Sequence, residues 1–249
     1  MKKIILSISM LLLIVVANLV SINYASAQDN VKHYIRLAEM SNNDISIVSK
    51  GLLKMNPSFV KASNGVILGR NAYTSESGLT YTLTAFDDLG KFMQENGNYW
   101  DEASAQNPGV MEAISATVIA PNIQSIWVKL NDASNSTANY IPSEYIFRRL
   151  SIVNIVVGKS KEYEELLVKL KGLMSKYGFE LNKNIFKSVT GYNSNSYLTI
   201  FSDRSLIEYM NSRTERMKKI SETPELVQVT NAMRAITIPV KVDFLSRIK

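Results

Sequence analysis

The sequence offers few residues for metal or nucleophilic chemistry. Its 249 residues include one histidine and no cysteine. A zinc site built on two or three imidazoles is therefore excluded, and we expect no bound metal. A serine triad would have to use His33, and no Gly-x-Ser-x-Gly segment supplies the nucleophile. We interpret His33, at the start of the first predicted strand, as an exposed histidine rather than a ligand or a base.

Two short motifs resemble a phosphate-binding loop and a cation site, but neither is interpreted as a binding site. Gly158-Lys159-Ser160 has the ending of a phosphate-binding loop, but position 153, where that motif requires glycine, is Val153. Asp87 and Asp88 are a carboxylate pair that could hold a cation. A helix cap at Asp87 is the simpler explanation, since Asp and Asn are preferred there.

Aromatic and arginine side chains are the best candidates for ligand contact. Strand alternation puts Tyr34 and Arg36 on one face of the first strand, which we expect to point away from the helices. If Arg36 is buried, it needs a partner, and an anionic ligand would be one. The alternative is that Arg36 is exposed at the rim of the barrel. Trp100 suits either a pocket rim or a lid on the core. The full set of candidates is Tyr34, Arg36, Tyr81, Trp100, Arg149 and Tyr197. No catalytic set is recognisable.

The second half of the chain has a clear order of elements. Strands are predicted over residues 149–157, 184–190, 196–201 and 235–244. One helix begins at Ser160, and its apolar positions recur three and four residues apart until Gly178. Asp203 is predicted to cap a second helix, and Pro224 opens a further helical stretch. The order is β-α-β-β-α-β.

The first half repeats this order. Tyr81 and Tyr197, Asp87 and Asp203, and Pro108 and Pro224 are each 116 residues apart, which indicates an internal repeat. A run of small polar residues lies between the copies. We therefore predict a first unit at 28–130, a linker at 131–140 and a second unit at 141–249.

The N-terminus has the layout of a secretory signal peptide. Lys2 and Lys3 precede an apolar run over residues 4–20, and Ala25-Ser26-Ala27 provides small residues for cleavage after Ala27. We predict a signal peptide at 1–27 and a periplasmic or secreted protein with no stable membrane span after cleavage. An uncleaved anchor is the alternative.

Charge is divided unevenly between the halves. The net charge is +6 for the whole chain, −3 for residues 28–140 and +7 for residues 141–249. An exported, modestly basic protein is not expected to bind nucleic acid. We interpret the basic half as a solvated face or an anion-facing surface.

A β-α-β-β-α-β unit is the ferredoxin-like arrangement, whose sheet leaves one face uncovered. With strand-turn-strand-helix segments at 65–93 and 184–210, the chain resembles the dimeric α+β barrel superfamily, here with both units in one polypeptide. The resemblance implies an α+β fold of two tandem ferredoxin-like units packed sheet to sheet. Members bind small organic molecules or haem between the sheets, and several are oxygenases or isomerases.

Three functions follow as hypotheses. The first is binding of a small organic ligand between the two units without catalysis and without a cofactor. The second is a cofactor-independent oxygenase or isomerase, so whether the chain is an enzyme stays open. The third is an envelope interaction module, in which the acidic and basic halves meet a partner or a second copy in a homodimer.

Overall fold

The computed structural model of the protein describes residues 32–119, 123–138, 140–179 and 181–248. The predicted signal peptide and its cleavage site lie outside these residues. In the described ranges, no helix is both long enough and apolar enough to cross a membrane.

The described residues form eight strands and six α-helices, and the same order of elements occurs in both halves of the chain. The first half contains β1 (Tyr34–Met40), α1 (Ile45–Ala62), β2 (Ile67–Ser75), β3 (Thr80–Phe86), α2 (Leu89–Gln106), α3 (Val110–Thr117) and β4 (Ile123–Lys129). The second half contains β5 (Phe147–Ile155), α4 (Ser160–Lys176), β6 (Lys183–Thr190), β7 (Ser196–Asp203), α5 (Leu206–Glu222), α6 (Pro224–Ile236) and β8 (Thr237–Arg247).

All eight strands form one closed antiparallel barrel in the order β1-β3-β2-β8-β5-β7-β6-β4. Each half contributes a four-stranded sheet, and the two sheets meet edge to edge at β2–β8 and β4–β6. This arrangement confirms the predicted α+β fold of two ferredoxin-like units joined as an intrachain barrel.

The barrel interior is a packed apolar cluster. Leu37, Trp127, Leu150 and Leu198 are completely buried in it, together with the almost completely buried Tyr73. Large side chains from both halves therefore occupy the space between the sheets in which a ligand is predicted from the sequence.

The helices cover the outside of the barrel. In the first half, α1 packs against α2, α3 and β2, and Phe59 and Phe92 are buried in the outer layer. Tyr34 packs against this layer and Leu37 points into the barrel. The predicted orientation of Tyr34 and Arg36 was therefore reversed, because both faces of β1 are covered and alternation alone does not tell them apart.

Helix caps differ from the prediction at two of the strand-to-helix turns. Asp88, rather than Asp87, caps α2 by accepting a hydrogen bond from Lys91 N at 2.9 Å. Ser205, rather than Asp203, caps α5 through Glu208 N at 3.1 Å. Asp87 is thereby free to contact His33, and Asp203 ends β7.

The seam between β2 and β8 is short. Only Leu245–Arg247 of β8 pair with β2, so the earlier part of β8 has one open side. Pro239 lies in that part, beside a register shift opposite Ile152 and Val153. A strand proline lacks an N–H donor, which fits an unpaired side and a bulge.

The other seam, between β4 and β6, depends on a glycine. Gly191 has a φ of +85°, and a Cβ at this position would lie 2.8 Å from Ser125 Cα of β4. Only glycine combines this backbone conformation with so close an approach.

The polar run after β4 is packed rather than extended in solvent. Ala133 and Ser134 are buried, and Ser134 Oγ accepts a hydrogen bond from Ile185 N of β6 at 2.9 Å. Thr137 N donates to Asn182 Oδ1 at 2.8 Å. These bonds fix the connection between the halves against the edge of β6.

Candidate anion-binding site

A cavity of about 400 Å³ lies between the outer face of the first-half sheet and helices α1 and α3. Its walls are mainly apolar, and the apolar lining residues are Ala38, Met40, Leu52, Met111, Ile114 and Val118. The polar lining consists of neutral and cationic side chains, namely Arg36, Arg70, Thr82, Ser115 and Gln124, with Trp100 at the side formed by α2. No carboxylate is present among these lining residues.

Two arginines enter the cavity from neighbouring positions of the sheet. Arg36 of β1 and Arg70 of β2 both pair with Thr84 of the central strand β3, so the three residues form one row across the sheet. Their side chains are buried, with exposed fractions of 7% for Arg36 and 8% for Arg70. The row therefore brings two cationic groups together in an apolar layer.

Neither guanidinium is fully satisfied within the described residues. Arg36 Nη1, Arg70 Nε and Arg70 Nη1 are buried without a hydrogen-bond partner, and so is Thr84 Oγ1 between them. Burial lowers the pKa of Arg36. Burial and repulsion by Arg36 lower the pKa of Arg70 to about 9. Buried polar atoms in native proteins almost always have partners, and no described residue provides an acceptor for these donors of the row.

Aromatic rings hold Arg70 in place. Its Cζ atom lies 4.3 Å from the ring centroid of Phe59 and 4.3 Å from that of Trp100. The two rings also contact each other, with centroids 4.7 Å apart. Stacking on aromatic faces compensates part of the cost of burying a guanidinium and fixes the plane of its donors.

The structure brings only two of the six candidate residues into this cavity, Arg36 and Trp100. Tyr34 stacks on Phe86 with ring centroids 5.6 Å apart, next to the cavity layer but outside its lining. Arg149 and Tyr197 lie on the outer face of the second half, where Arg149 lines a separate cavity.

Tyr81, another candidate, lies inside the barrel as part of a polar network. Its hydroxyl donates to Asp243 Oδ2 at 2.8 Å, and burial with nearby carboxylates raises its pKa. Glu39 of the first half forms an ion pair with Lys241 of the second and accepts a hydrogen bond from Tyr192 at 3.2 Å. Each of these bonds joins the two halves, which gives Tyr81 a structural role.

Sequence reasoning missed Arg70. Its strand was predicted, but a single arginine in a strand does not show which residue it faces. The internal repeat could have identified it. Arg149 follows Arg36 by 113 residues, and Lys183 follows Arg70 by the same distance, so both cationic positions recur in the second half. The two pairs occupy matching positions of the two sheets.

The superfamily resemblance also implies haem as a ligand of some members. The one histidine of the chain, His33, lies at the start of β1 with Nδ1 2.6 Å from Asp87 Oδ1, and both side chains are partly exposed. His33 lines neither the cavity beneath α1 and α3 nor the one at Arg149. These residues do not fit a histidine-ligated haem, and no cluster of three metal-binding side chains occurs among residues 32–119, 123–138, 140–179 and 181–248.

Comparisons with known proteins identify the fold. No family model and no curated protein matches the chain. Solved structures do match: a candidate monooxygenase from Fusobacterium nucleatum has a TM-score of 0.61 at 13% identity, covering 88% of this chain and 94% of the other. A candidate monooxygenase from Lactobacillus acidophilus NCFM gives 0.57 at 12% identity, covering 88% and 95%. A candidate chlorite dismutase gives 0.57 at 8% identity, covering 88% and 96%. With its closed barrel of two ferredoxin-like halves, the chain has the fold of the dimeric α+β barrel superfamily.

Proposed function

We propose that the protein binds a small organic carboxylate in the cavity beneath α1 and α3. The observation that carries this proposal is the row Arg36–Thr84–Arg70, which buries two cations and leaves their donors unpaired among the described residues. A buried charge without a partner costs several kcal/mol, so a fold that keeps two of them side by side gains from an anion that neutralises them.

The chemistry of the walls defines the rest of the ligand. A guanidinium presents paired N–H donors that match the two oxygens of a carboxylate. The remaining lining is largely aliphatic, with one indole ring at Trp100, and the volume of about 400 Å³ is in the range of small-molecule sites. We therefore expect a carboxylate attached to an apolar or aromatic body.

A thermal-shift comparison of matched probes tests the proposal. The purified protein is heated with benzoate, phenylacetate or octanoate, and separately with the neutral amide of each acid. We expect at least one carboxylate to raise the melting temperature while its amide does not, because a ligand at a hundred times its Kd stabilises the protein by about 3 kcal/mol. Equal effects of acid and amide, or no effect of any acid, would refute the proposal.

Matched variants localise the effect. Arg70→Met should weaken binding of the stabilising carboxylate to this cavity at least tenfold. Arg148→Met is the control, because Arg148 is also a buried arginine but donates to the carbonyls of Tyr145 and Phe147 and does not line the cavity. An unchanged affinity and an unchanged number of sites in both variants would place the ligand elsewhere.

A second candidate function is oxidation of the bound molecule without a cofactor. Proteins of the same fold are described as monooxygenases, and two guanidinium groups beside a bound substrate would stabilise negative charge that develops during reaction. Among the described residues, the lining side chains of the cavity include no His, Asp, Glu, Lys or Cys to accept a proton, which favours binding alone. Oxygen uptake measured with the stabilising carboxylate distinguishes the two functions.

Export is part of the proposal. It rests on the N-terminal sequence, with Lys2, Lys3 and the small residues before Gln28. N-terminal sequencing of the protein recovered from outside the cytoplasm should begin at Gln28. An intact Met1 on the recovered protein would indicate an anchor, and recovery only from the cytoplasm would refute export.

A further inference from the structure

The cationic row of the first half recurs in the second half. Arg149 of β5 and Lys183 of β6 both pair with Phe201 of β7, just as Arg36 and Arg70 both pair with Thr84. The two cationic positions of the second half each follow their counterparts by 113 residues, and Phe201 follows Thr84 by 117. The strands of the two sheets therefore pair in equivalent register. Two cations beside one central position are therefore a feature of both halves.

A second cavity lies above this row. It has a volume of about 280 Å³ and lies on the outer face of the second half, between the sheet and helices α4 and α6. Its cationic lining residues are Arg149, Lys183 and Arg234, and its aliphatic wall includes Leu167, Leu170 and Met233. No carboxylate lines it among the described residues.

Lys183 is the most deeply buried cation of this cavity. Its exposed fraction is 5%, and its amino group has no hydrogen bond or ion pair within the described ranges. Burial, together with repulsion by Lys171 and Arg216, lowers the pKa of Lys183 to about 8. The described residues whose charges act on Lys183, Lys171 and Arg216, are both cationic, so none of them provides an anion that would stabilise its charged form.

We infer that the second half contains a second binding site, for an aliphatic carboxylate whose head lies between Lys183 and Arg149 and whose tail lies along Leu167, Leu170 and Met233. The site does not depend on occupancy of the first cavity. An extended aliphatic chain fits its wall, which has no indole and is formed largely by α4 and α6. The protein would thus hold two carboxylates, one on each half.

Binding stoichiometry tests this inference. Equilibrium dialysis with radiolabelled octanoate should give two sites on the wild-type protein, one on Lys183→Met and one on Arg70→Met. Lys187→Met is the matched control, because Lys187 lies on the same strand but forms an ion pair with Glu164 at 2.9 Å and does not line the cavity. It should keep two sites.

The other possible results separate the inference about the second site from the proposed function of the first. Two octanoate sites on Lys183→Met would overturn the inference. A single site on the wild type that is lost only in Arg70→Met would also overturn it, but would leave the proposed function standing. A single site that only Lys183→Met removes supports the inference and refutes the proposed function for octanoate. A melting temperature of Lys183→Met at or above the wild-type value shows that its loss of binding is not a loss of fold.

Discussion

Replacing Arg70 by methionine should stabilise the unliganded protein. Arg70 is charged at pH 7 in both the folded and the unfolded chain, and only the folded chain places the charge in an apolar layer. Its pKa of about 9 lies well below the ordinary arginine pKa of about 12.5, a difference that corresponds to roughly 5 kcal/mol. This figure is an upper bound on what the substitution can recover.

Two effects reduce the gain. Stacking on Phe59 and Trp100, at 4.3 Å from each ring centroid, returns roughly 1–2 kcal/mol to the wild type. Methionine fills the same space less completely than arginine. Replacement of unfavourable buried charges by apolar side chains has stabilised other proteins by about 1–4 kcal/mol, and we expect about 2 kcal/mol here.

Urea unfolding at pH 7 without ligand measures the effect. With an m-value of about 2 kcal/mol/M, Arg70→Met should raise the midpoint by about 1 M. Arg148→Met should lower the midpoint, because it leaves the carbonyls of Tyr145 and Phe147 without their charged donor, at a cost of about 2 kcal/mol. If Arg70→Met is destabilised as much as Arg148→Met, Arg70 has a partner in the unliganded protein and does not mark an anion site.

Three further predictions concern other parts of the barrel. The unfolding free energy of the wild type, relative to that of Lys183→Met, should rise by about 3 kcal/mol as pH rises from about 8 to 10.4. The reason is that the unfolded wild-type chain keeps the Lys183 proton in this range while the folded chain loses it. Urea titrations of both proteins at several pH values check this, and equal slopes of unfolding free energy against pH would contradict it. Tyr81→Phe removes the hydrogen bond to Asp243 and should cost about 1–2 kcal/mol while carboxylate affinity stays unchanged; altered affinity would give Tyr81 a role at the site. Gly191→Ala should lower stability by about 2–3 kcal/mol, because it strains a φ of +85° at the β4–β6 seam; a neutral result in thermal melts would show that the seam can relax.

The order of elements was predictable because local signals mark it. Gly178 follows α4, Pro224 opens α6 at its first residue, and the apolar positions of α4 recur with helical spacing. These signals act within a few residues, so they survive without knowledge of the tertiary structure. The equal spacing of landmarks in the two halves predicted the two-fold repetition, and the resemblance to the dimeric α+β barrel superfamily predicted the barrel.

The orientation of side chains was less predictable. Tyr81 and Tyr197 are 116 residues apart and look equivalent, yet Tyr81 points into the barrel and Tyr197 points toward α4. The register sets Thr84 opposite Arg36 and Phe201 opposite Arg149, so the true displacement in these strands is 117. An error of one residue moves a strand side chain to the opposite face.

The site itself depended on information that local sequence does not carry. Arg36 was a candidate for anion binding, but its partner Arg70 comes from a different strand and meets it only through their common neighbour Thr84. Strand pairing across β3 is a long-range property, and no pattern within β2 singles out its arginine. Trp100 was ambiguous for the same reason, since a helical aromatic near the core suits a lid as well as a pocket.

Calorimetric titration of a carboxylate into wild type and the Arg36→Met/Arg70→Met double variant tests the central claim most directly. The probe is whichever of benzoate, phenylacetate or octanoate stabilises the wild type most, with its neutral amide titrated in parallel. We expect binding to the wild type, at least a hundredfold weaker binding at the Arg36–Arg70 site of the double variant, and no binding of the amide. Undiminished binding of the acid at that site would show that the two buried guanidinium groups do not hold the ligand.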